Sequence, residues 1–303
     1  MSTTNSLIQT LLENRPVITD GAWGTQLQAL GLPMTGEPAE AWNLSHPERV
    51  EQVARDYAEA GSRIILSNTF SGNRITLARH GFGDKAREIN RAGAAISRKA
   101  VPQNVSVFAS MGPSGVMLLS GETTESELEN AFSEQAEALA EGGADAIVVE
   151  TMSDLAEARA AVKAAVRTGL PVVACMVFDS GREKDRTMMG VTAEEAAAGL
   201  EEAGASAIGA NCGNGPEGYL PICRRLREAT SLPVWLKPNA GLPEIIDGRA
   251  AYSMSPESFA RGIERLVQAG ADFVGGCCGT TPEFIRVLAR GYGDGASPAG
   301  SPH

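Results

Sequence analysis

The sequence predicts an α/β chain folded as a single (β/α)8 barrel of the TIM type, and three observations carry that expectation. Short apolar runs recur along the whole length, starting near Val17, Ile64, Val105, Ala146, Val172, Ala207, Val234 and Phe273. Segments with helical spacing of Ala, Leu and charged residues separate them, so the chain reads as eight strands at about the spacing of one βα unit. The second, fourth, sixth and eighth runs follow helix ends rich in glycine: Ala60-Gly61-Ser62, Gly142-Gly143-Ala144, Ala203-Gly204-Ala205 and Ala269-Gly270-Ala271. Glycine there suits the left-handed residue that closes a helix. The odd runs are entered through proline instead, directly at Pro16, Pro171 and Pro233 and three residues ahead at Pro102. A two-unit period repeated four times fits a closed barrel, because an open sheet has distinct edge and centre strands.

Helix starts fall just after the strands. Ser45-His46-Pro47-Glu48, Thr124-Glu125-Ser126-Glu127 and Thr192-Ala193-Glu194-Glu195 read as capping boxes, and Ser255-Pro256 and Thr281-Pro282 as an N-cap followed by proline in the first turn. No linker divides the barrel, which is expected over residues 1–290. The tail Gly291 to His303, rich in Gly, Ser and Pro, is expected to be disordered.

Composition narrows the function. A net charge of −11 disfavours nucleic acid and anionic lipid. No apolar stretch approaches the roughly 20 residues needed to span a bilayer, and Met1 to Asn14 lacks the pattern of a signal peptide. Five cysteines, an odd and unevenly spaced set, read as reduced thiols in a soluble cytoplasmic protein. A homo-oligomer is compatible with the sequence.

In such a barrel the loops after the strands carry the active site, and the unusual residues collect there. Cys212 ends the sixth run and Cys277-Cys278 the eighth, on strands separated by one neighbour, so the three thiols can converge. Three thiolates without a nearby histidine favour a soft tetrahedral ion, with Zn²⁺ the choice; a core or redox role is the alternative. Adjacent residues of a regular strand face opposite ways, but Gly275, Gly276 and Gly279 free the backbone to turn both sulfurs inward. Cys175 and Cys223 read as core residues. Three protein ligands leave one position open for a substrate thiol, which a metal holds as the nucleophilic thiolate. Glu150 is suited to an ammonium group, and the Gly21 to Thr25 loop offers N–H groups to a carboxylate, which together would clamp an amino acid. Glu150 and Asp20 fit equally well as charges at helix starts. His46, His80 and His303 read as surface residues.

The motifs Asp-Gly-x-x-Gly-Thr at Asp20, Asn-Thr-Phe at Asn68, Glu-Thr at Glu150, Gly-Ala-Asn-Cys ending at Cys212, Pro-Asn-Ala-Gly-Leu-Pro at Pro238 and Gly-Gly-Cys-Cys-Gly at Gly275 occur in order over Pro16 to Leu288. Together they resemble the zinc-dependent homocysteine S-methyltransferase family. The resemblance implies zinc on Cys212, Cys277 and Cys278, homocysteine sulfur as the fourth ligand, and methionine as product. It places Glu150 on the substrate amino group, the Asp20 to Thr25 loop with Gly21 and Ala22 on its carboxylate, Asn211 and Asn239 among the substrate-binding residues, and Asn239 beside the zinc when substrate is absent. Two residues depart from the pattern: Trp23 replaces a smaller residue, and Lys237 stands where the methionine synthase branch often has histidine.

The resemblance leaves the methyl donor open. The segment Gly36 to Asn43 resembles stand-alone bacterial betaine–homocysteine methyltransferases and puts Trp42 where the betaine-using branch has a tryptophan. Aromatic faces bind quaternary ammonium, so Trp42, Trp23, Phe70 and Tyr252 are expected to line a site for glycine betaine. S-methylmethionine, another sulfonium compound or a separate methyl-corrinoid protein are the alternatives. The folate, corrinoid and activation domains that accompany this module in cobalamin-dependent methionine synthase do not fit in 303 residues.

Two readings of other classes compete. Asn239-Ala240-Gly241 with Gly279-Thr280-Thr281-Pro282 is drawn as a phosphate cradle, with Lys237 as Schiff-base nucleophile of an aldolase-like lyase. A non-catalytic zinc-stabilised docking module would instead close the ion with four protein ligands.

Overall fold

The computed structural model describes residues 4–117, 121–246 and 249–292. Eight of its strands are β1 (Val17–Ile18), β2 (Ile64–Ile65), β3 (Ser106–Met111), β4 (Ala146–Met152), β5 (Val172–Met176), β6 (Ala207–Cys212), β7 (Val234–Pro238) and β10 (Phe273–Val274). They lie parallel in the order β1-β10-β7-β6-β5-β4-β3-β2. A parallel bridge between Thr19 and Ile64, with the Arg63 N–H on the Ile18 carbonyl at 2.8 Å, joins the first strand to the second and completes the ring. All eight apolar runs are strands of this barrel. A further hairpin, β8 (Glu244–Ile246) with β9 (Arg249–Ala251), follows β7 and has no counterpart in the sequence reading.

The helices in chain order are α1 (Thr4–Leu12), α2 (Trp23–Ala29), α3 (Trp42–Ser45), α4 (Pro47–Glu59), α5 (Arg74–Ala78) and α6 (Ala86–Ala100). They continue with α7 (Glu125–Glu141), α8 (Leu155–Val166), α9 (Ala193–Glu202), α10 (Pro216–Ala229), α11 (Pro256–Gln268) and α12 (Pro282–Gly291). Gly61, Gly143, Gly204 and Gly270 all take positive φ at the ends of helices preceding even-numbered barrel strands, where a Cβ would cost conformational energy. Thr124 with Glu127 and Thr192 with Glu195 form reciprocal capping boxes, and the Ser255 hydroxyl accepts the Ser258 N–H.

One capping expectation fails, and a second holds in position without its side-chain bond. Ser45 belongs to the helical turn of α3, so its hydroxyl donates back to the Ala41 carbonyl and His46 becomes the N-cap of α4 without a side-chain bond. Thr281 is the N-cap of α12 but makes no side-chain cap. Gly291 is the last residue of α12 and Tyr292 packs on the core; the rest of the tail expected to be disordered lies outside the described residues.

Two apolar layers fix the barrel. Inside it, the Phe108, Trp235 and Phe273 rings lie with centroids 5.9 and 5.3 Å apart. Ile8 and Leu11 of α1 join Val17, Val148, Val173 and Cys175 in the same buried cluster. This packing fills the interior at one end and confines chemistry to the other. Outside the strands, the helices bury Val53, Phe132, Val162, Ile222, Cys223 and Ile263 against the sheet. Among the described residues no helix is long and apolar enough to cross a membrane.

Candidate active site

The three cysteines reach one point by different local means. Cys212 ends β6 in the left-handed region, at φ +64, and Thr151 on β4 does the same at φ +60. Such conformations are costly for non-glycine residues, above all β-branched ones, and persist only where surroundings impose them. Asn211 supplies the restraint: its Oδ1 accepts the Thr151 N–H at 2.7 Å, and its Nδ2 donates to Thr151 Oγ1 at 2.7 Å and to Glu150 Oε2 at 3.1 Å. The Tyr219 hydroxyl, donating to the Asn211 and Cys212 carbonyls at 2.9 and 2.8 Å, holds the same turn from α10.

Cys277 and Cys278 lie past the end of β10, where strand alternation no longer applies. The Cys277 N–H bonds the Pro238 carbonyl at 2.8 Å and the Cys278 carbonyl accepts the Ala240 N–H at 2.9 Å. Thr280 Oγ1 closes the turn on the Cys277 carbonyl at 2.7 Å. Gly279 sits at φ +83, and a Cβ there would fall 2.2 Å from the Tyr252 ring. Glycine is therefore required both by conformation and by the aromatic ring packed on the turn.

The Sγ atoms of Cys212, Cys277 and Cys278 lie within 4.8 Å of one another. Tetrahedral zinc with bonds of about 2.3 Å holds its sulfurs about 3.8 Å apart, a spacing compatible with this donor set. The thiols are coupled: hydrogen bonds from Cys277 and Cys278 pull Cys212 far down, while Cys212 pushes both of them up. Packed this closely they oppose one another's ionisation, and a dication at their centre would allow all three to ionise. The Tyr252 hydroxyl faces the Cys278 sulfur. Asn239 sends Nδ2 to the Gly213 carbonyl at 2.8 Å and leaves Oδ1 buried without a hydrogen bond, beside Cys212.

Three charged side chains are buried below the sulfurs. Asp20 is 0 % exposed, Lys237 2 % and Glu150 7 %. Asp20 accepts from the Trp23 indole and the Leu66 N–H, each at 2.7 Å, and pairs with the Lys237 ammonium. Glu150 accepts from the Ser110 hydroxyl and from Asn211. Burial raises the Glu150 pKa, only partly offset by the Lys237 charge and the Ser110 hydrogen bond. Burial works against the Lys237 ammonium, but Asp20 and Glu150 together outweigh it and its pKa is raised.

The carboxylate loop is locked rather than open along its whole length. Gly21 packs on Thr280 and Tyr57, and the Ala22 N–H is already bonded to Thr280 Oγ1 at 3.2 Å. Ala22 is the N-cap of α2 without a side-chain cap, so the first-turn N–H groups of Trp23, Gly24 and Thr25 are the ones available to an anion. The Thr25 side chain is exposed.

Of the four aromatic residues, Trp42 is set apart by its burial. Trp23 and Tyr252 are half-buried and Phe70 is 36 % exposed, its ring packed on Gly112. Trp42 is only 2 % exposed. It packs in the helical layer with His46 at 4.6 Å and the Arg49 guanidinium at 5.0 Å from its ring centroid. Its face is taken by a protein cation. Trp42→Ala is therefore expected to act on stability, costing about 3–5 kcal/mol, with a lowered Tm in thermal melts.

The geometry corrects the lyase alternative. A Schiff-base lysine needs a neutral amine, whereas Lys237 is held as an ammonium by Asp20. Half of the supposed phosphate cradle is also spent, since the N–H groups of Asn239, Ala240 and Thr280 bond the carbonyls of Asn214, Cys278 and Cys277. The docking-module alternative needs a fourth protein ligand; among the described residues the cluster holds three. Sequence reasoning missed Tyr219 and the bridging roles of Ser110, Thr151 and Thr280, polar residues that hold the site together across strands. The positions of Ser110 and Thr151 at strand ends were the one available signal.

Fold and site define a barrel enzyme whose thiol cluster and buried charges share the C-terminal mouth. The homocysteine S-methyltransferase family model matches residues 17–291. The chain belongs to that family. It is 34 % identical over 297 residues to methionine synthase of Mycobacterium tuberculosis and 32 % over 318 residues to that of Mycobacterium leprae. These matches cover 92 and 98 % of the chain but 25 and 26 % of the relatives, so it spans about a quarter of their length. Among solved structures it resembles the homocysteine methyltransferase MmuM of Escherichia coli in its metallated form, with TM-score 0.78 and 23 % identity over 93 % of this chain and 99 % of that one. A likeness to Rhizobium etli pyruvate carboxylase, at TM-score 0.52 and 16 % identity over 96 % of this chain and 29 % of that one, extends to the fold alone.

Proposed function

We propose that this protein transfers a methyl group to the thiol of homocysteine, giving methionine, with Zn²⁺ held by Cys212, Cys277 and Cys278. The observation that carries the reading is the convergence of three thiols above a buried carboxylate, Glu150, at one barrel mouth. When bound, zinc supplies the charge that keeps a substrate thiol deprotonated and nucleophilic at neutral pH. Glu150 receives the substrate ammonium, and its place in the sheet is fixed by Ser110 and Asn211. The first-turn N–H groups of α2 receive the carboxylate. Asn239, beside Cys212 with an unpaired buried oxygen, borders the sulfur site.

For the donor, Trp23, Phe70 and Tyr252 support glycine betaine, whose cation suits aromatic faces; Trp42 contributes through packing. A second reading, a protein-borne methyl group such as a methyl-corrinoid, is favoured by a different observation. Phe70, Met117, Met188 and Leu242 are exposed, and all four lie between a barrel strand and the helix that follows it. Exposed apolar side chains of this kind suit a protein partner. S-methylmethionine and other sulfonium compounds complete the choice. The test is methionine formation by zinc-loaded protein given homocysteine and each donor in turn. Turnover on glycine betaine is expected; turnover only on the corrinoid protein or a sulfonium overturns the donor, and none on any donor overturns the function.

A further inference from the structure

Trp23 and Lys237 meet on one side chain, that of Asp20. Asp20 Oδ2 accepts the Trp23 indole N–H and the Leu66 N–H, each at 2.7 Å, and Oδ1 holds the Lys237 ammonium. Asp20 comes from β1's end and Lys237 from β7, 217 positions apart, and both are enclosed. Glu150 lies close enough to Lys237 for each charge to act on the other. Two buried carboxylates therefore face one buried ammonium, an excess of one negative charge. Asp20 has its acceptors committed; Glu150 has a hydroxyl and an amide as partners but no cation bonded to it.

We infer that Lys237 is a specificity-setting positioning residue: by occupying Asp20 it leaves Glu150 as the single carboxylate that selects an amine-bearing thiol. The inference rests on the homocysteine reading above. An unpaired ammonium in this enclosure turns to the nearest remaining carboxylate, because isolated buried charges are far costlier than paired ones. Neutralising Asp20 alone thus sends Lys237 to Glu150, where it takes the place of the substrate amine. Neutralising both members frees Glu150 again.

The test measures Kd by calorimetry for homocysteine and for 4-mercaptobutyrate, its analogue without the amine, on zinc-loaded wild type, Asp20→Asn, Lys237→Met and the double variant. Wild type should prefer homocysteine. Asp20→Asn should lose that preference by at least about tenfold, and the double variant should regain it to within about threefold. A purely structural pair gives no such recovery. Thermal melts and zinc content verify that the variants compared are folded. An unaltered ratio in Asp20→Asn, or a double variant as unselective as Asp20→Asn, overturns the role of Lys237. Wild type that binds no homocysteine overturns the acceptor assignment itself, a distinguishable result.

Discussion

Cys278→Ser is expected to lower zinc content from about one ion per chain to a small fraction and to cut methyl transfer by more than about 100-fold. Cys278 sits in a turn fixed by three neighbouring contacts, the Ala240 N–H, the Thr280 hydroxyl and the Tyr252 ring on Gly279. The serine chain can therefore keep its backbone geometry while losing the soft donor. An alcohol is a poor ligand beside two thiolates for a borderline-soft ion. Cys223→Ala provides the control: this thiol is buried among helices in the outer layer, so its loss should leave zinc content unchanged. Metal analysis of the purified variants, paired with the rate of methionine formation, reads both effects. Zinc and full activity retained in Cys278→Ser contradict the assignment.

Glu150→Gln is expected to weaken homocysteine binding by about 2–5 kcal/mol, roughly 30- to 5,000-fold, while the affinity for 4-mercaptobutyrate changes little. The amide keeps the shape that meets Ser110 and Asn211 but cannot neutralise an ammonium. A pH dependence follows. Burial holds the Glu150 pKa above its ordinary value, against the opposing pull of Lys237, with Asp20 and Cys212 adding to the rise. As pH falls through that raised value the carboxyl becomes neutral, so homocysteine affinity should decline at a higher pH than an ordinary carboxylate would give. The analogue without the amine reports any acid effect of the thiols separately. An acid decline equal for both ligands, or retained in Glu150→Gln, contradicts the role.

The parts of the fold legible in sequence are those set by local chemistry. Gly61, Gly143, Gly204 and Gly270 mark helix ends because only glycine takes that backbone without strain, and the apolar runs mark strands because a barrel buries both their faces. Thr124 and Thr192 were readable as caps for the same reason, each with its glutamate three residues on. Ser45 failed because a preceding helical turn, invisible in the four-residue pattern, recruited its hydroxyl. The β8–β9 hairpin strands are three residues each, too short for a period to declare itself.

In the site, the cysteines were legible because three soft donors at two strand ends have few other uses. The Asp20–Lys237 pair was not, since partners 217 positions apart are joined only by ring closure. Trp42 shows the same limit from the other side. Its motif context pointed to the mouth, but whether a tryptophan face meets solvent or Arg49 is decided by packing. The left-handed Thr151 and Cys212 also escape sequence, because Asn211 and Tyr219 impose them through side-chain bonds between elements.

The central claim is an open three-thiolate metal site that accepts the substrate sulfur. Zinc-edge X-ray absorption of the purified protein tests it directly. The account predicts three sulfur neighbours at about 2.3 Å, becoming four when homocysteine is added. Four sulfur neighbours at the outset, or a sulfur count unmoved by homocysteine, would contradict it.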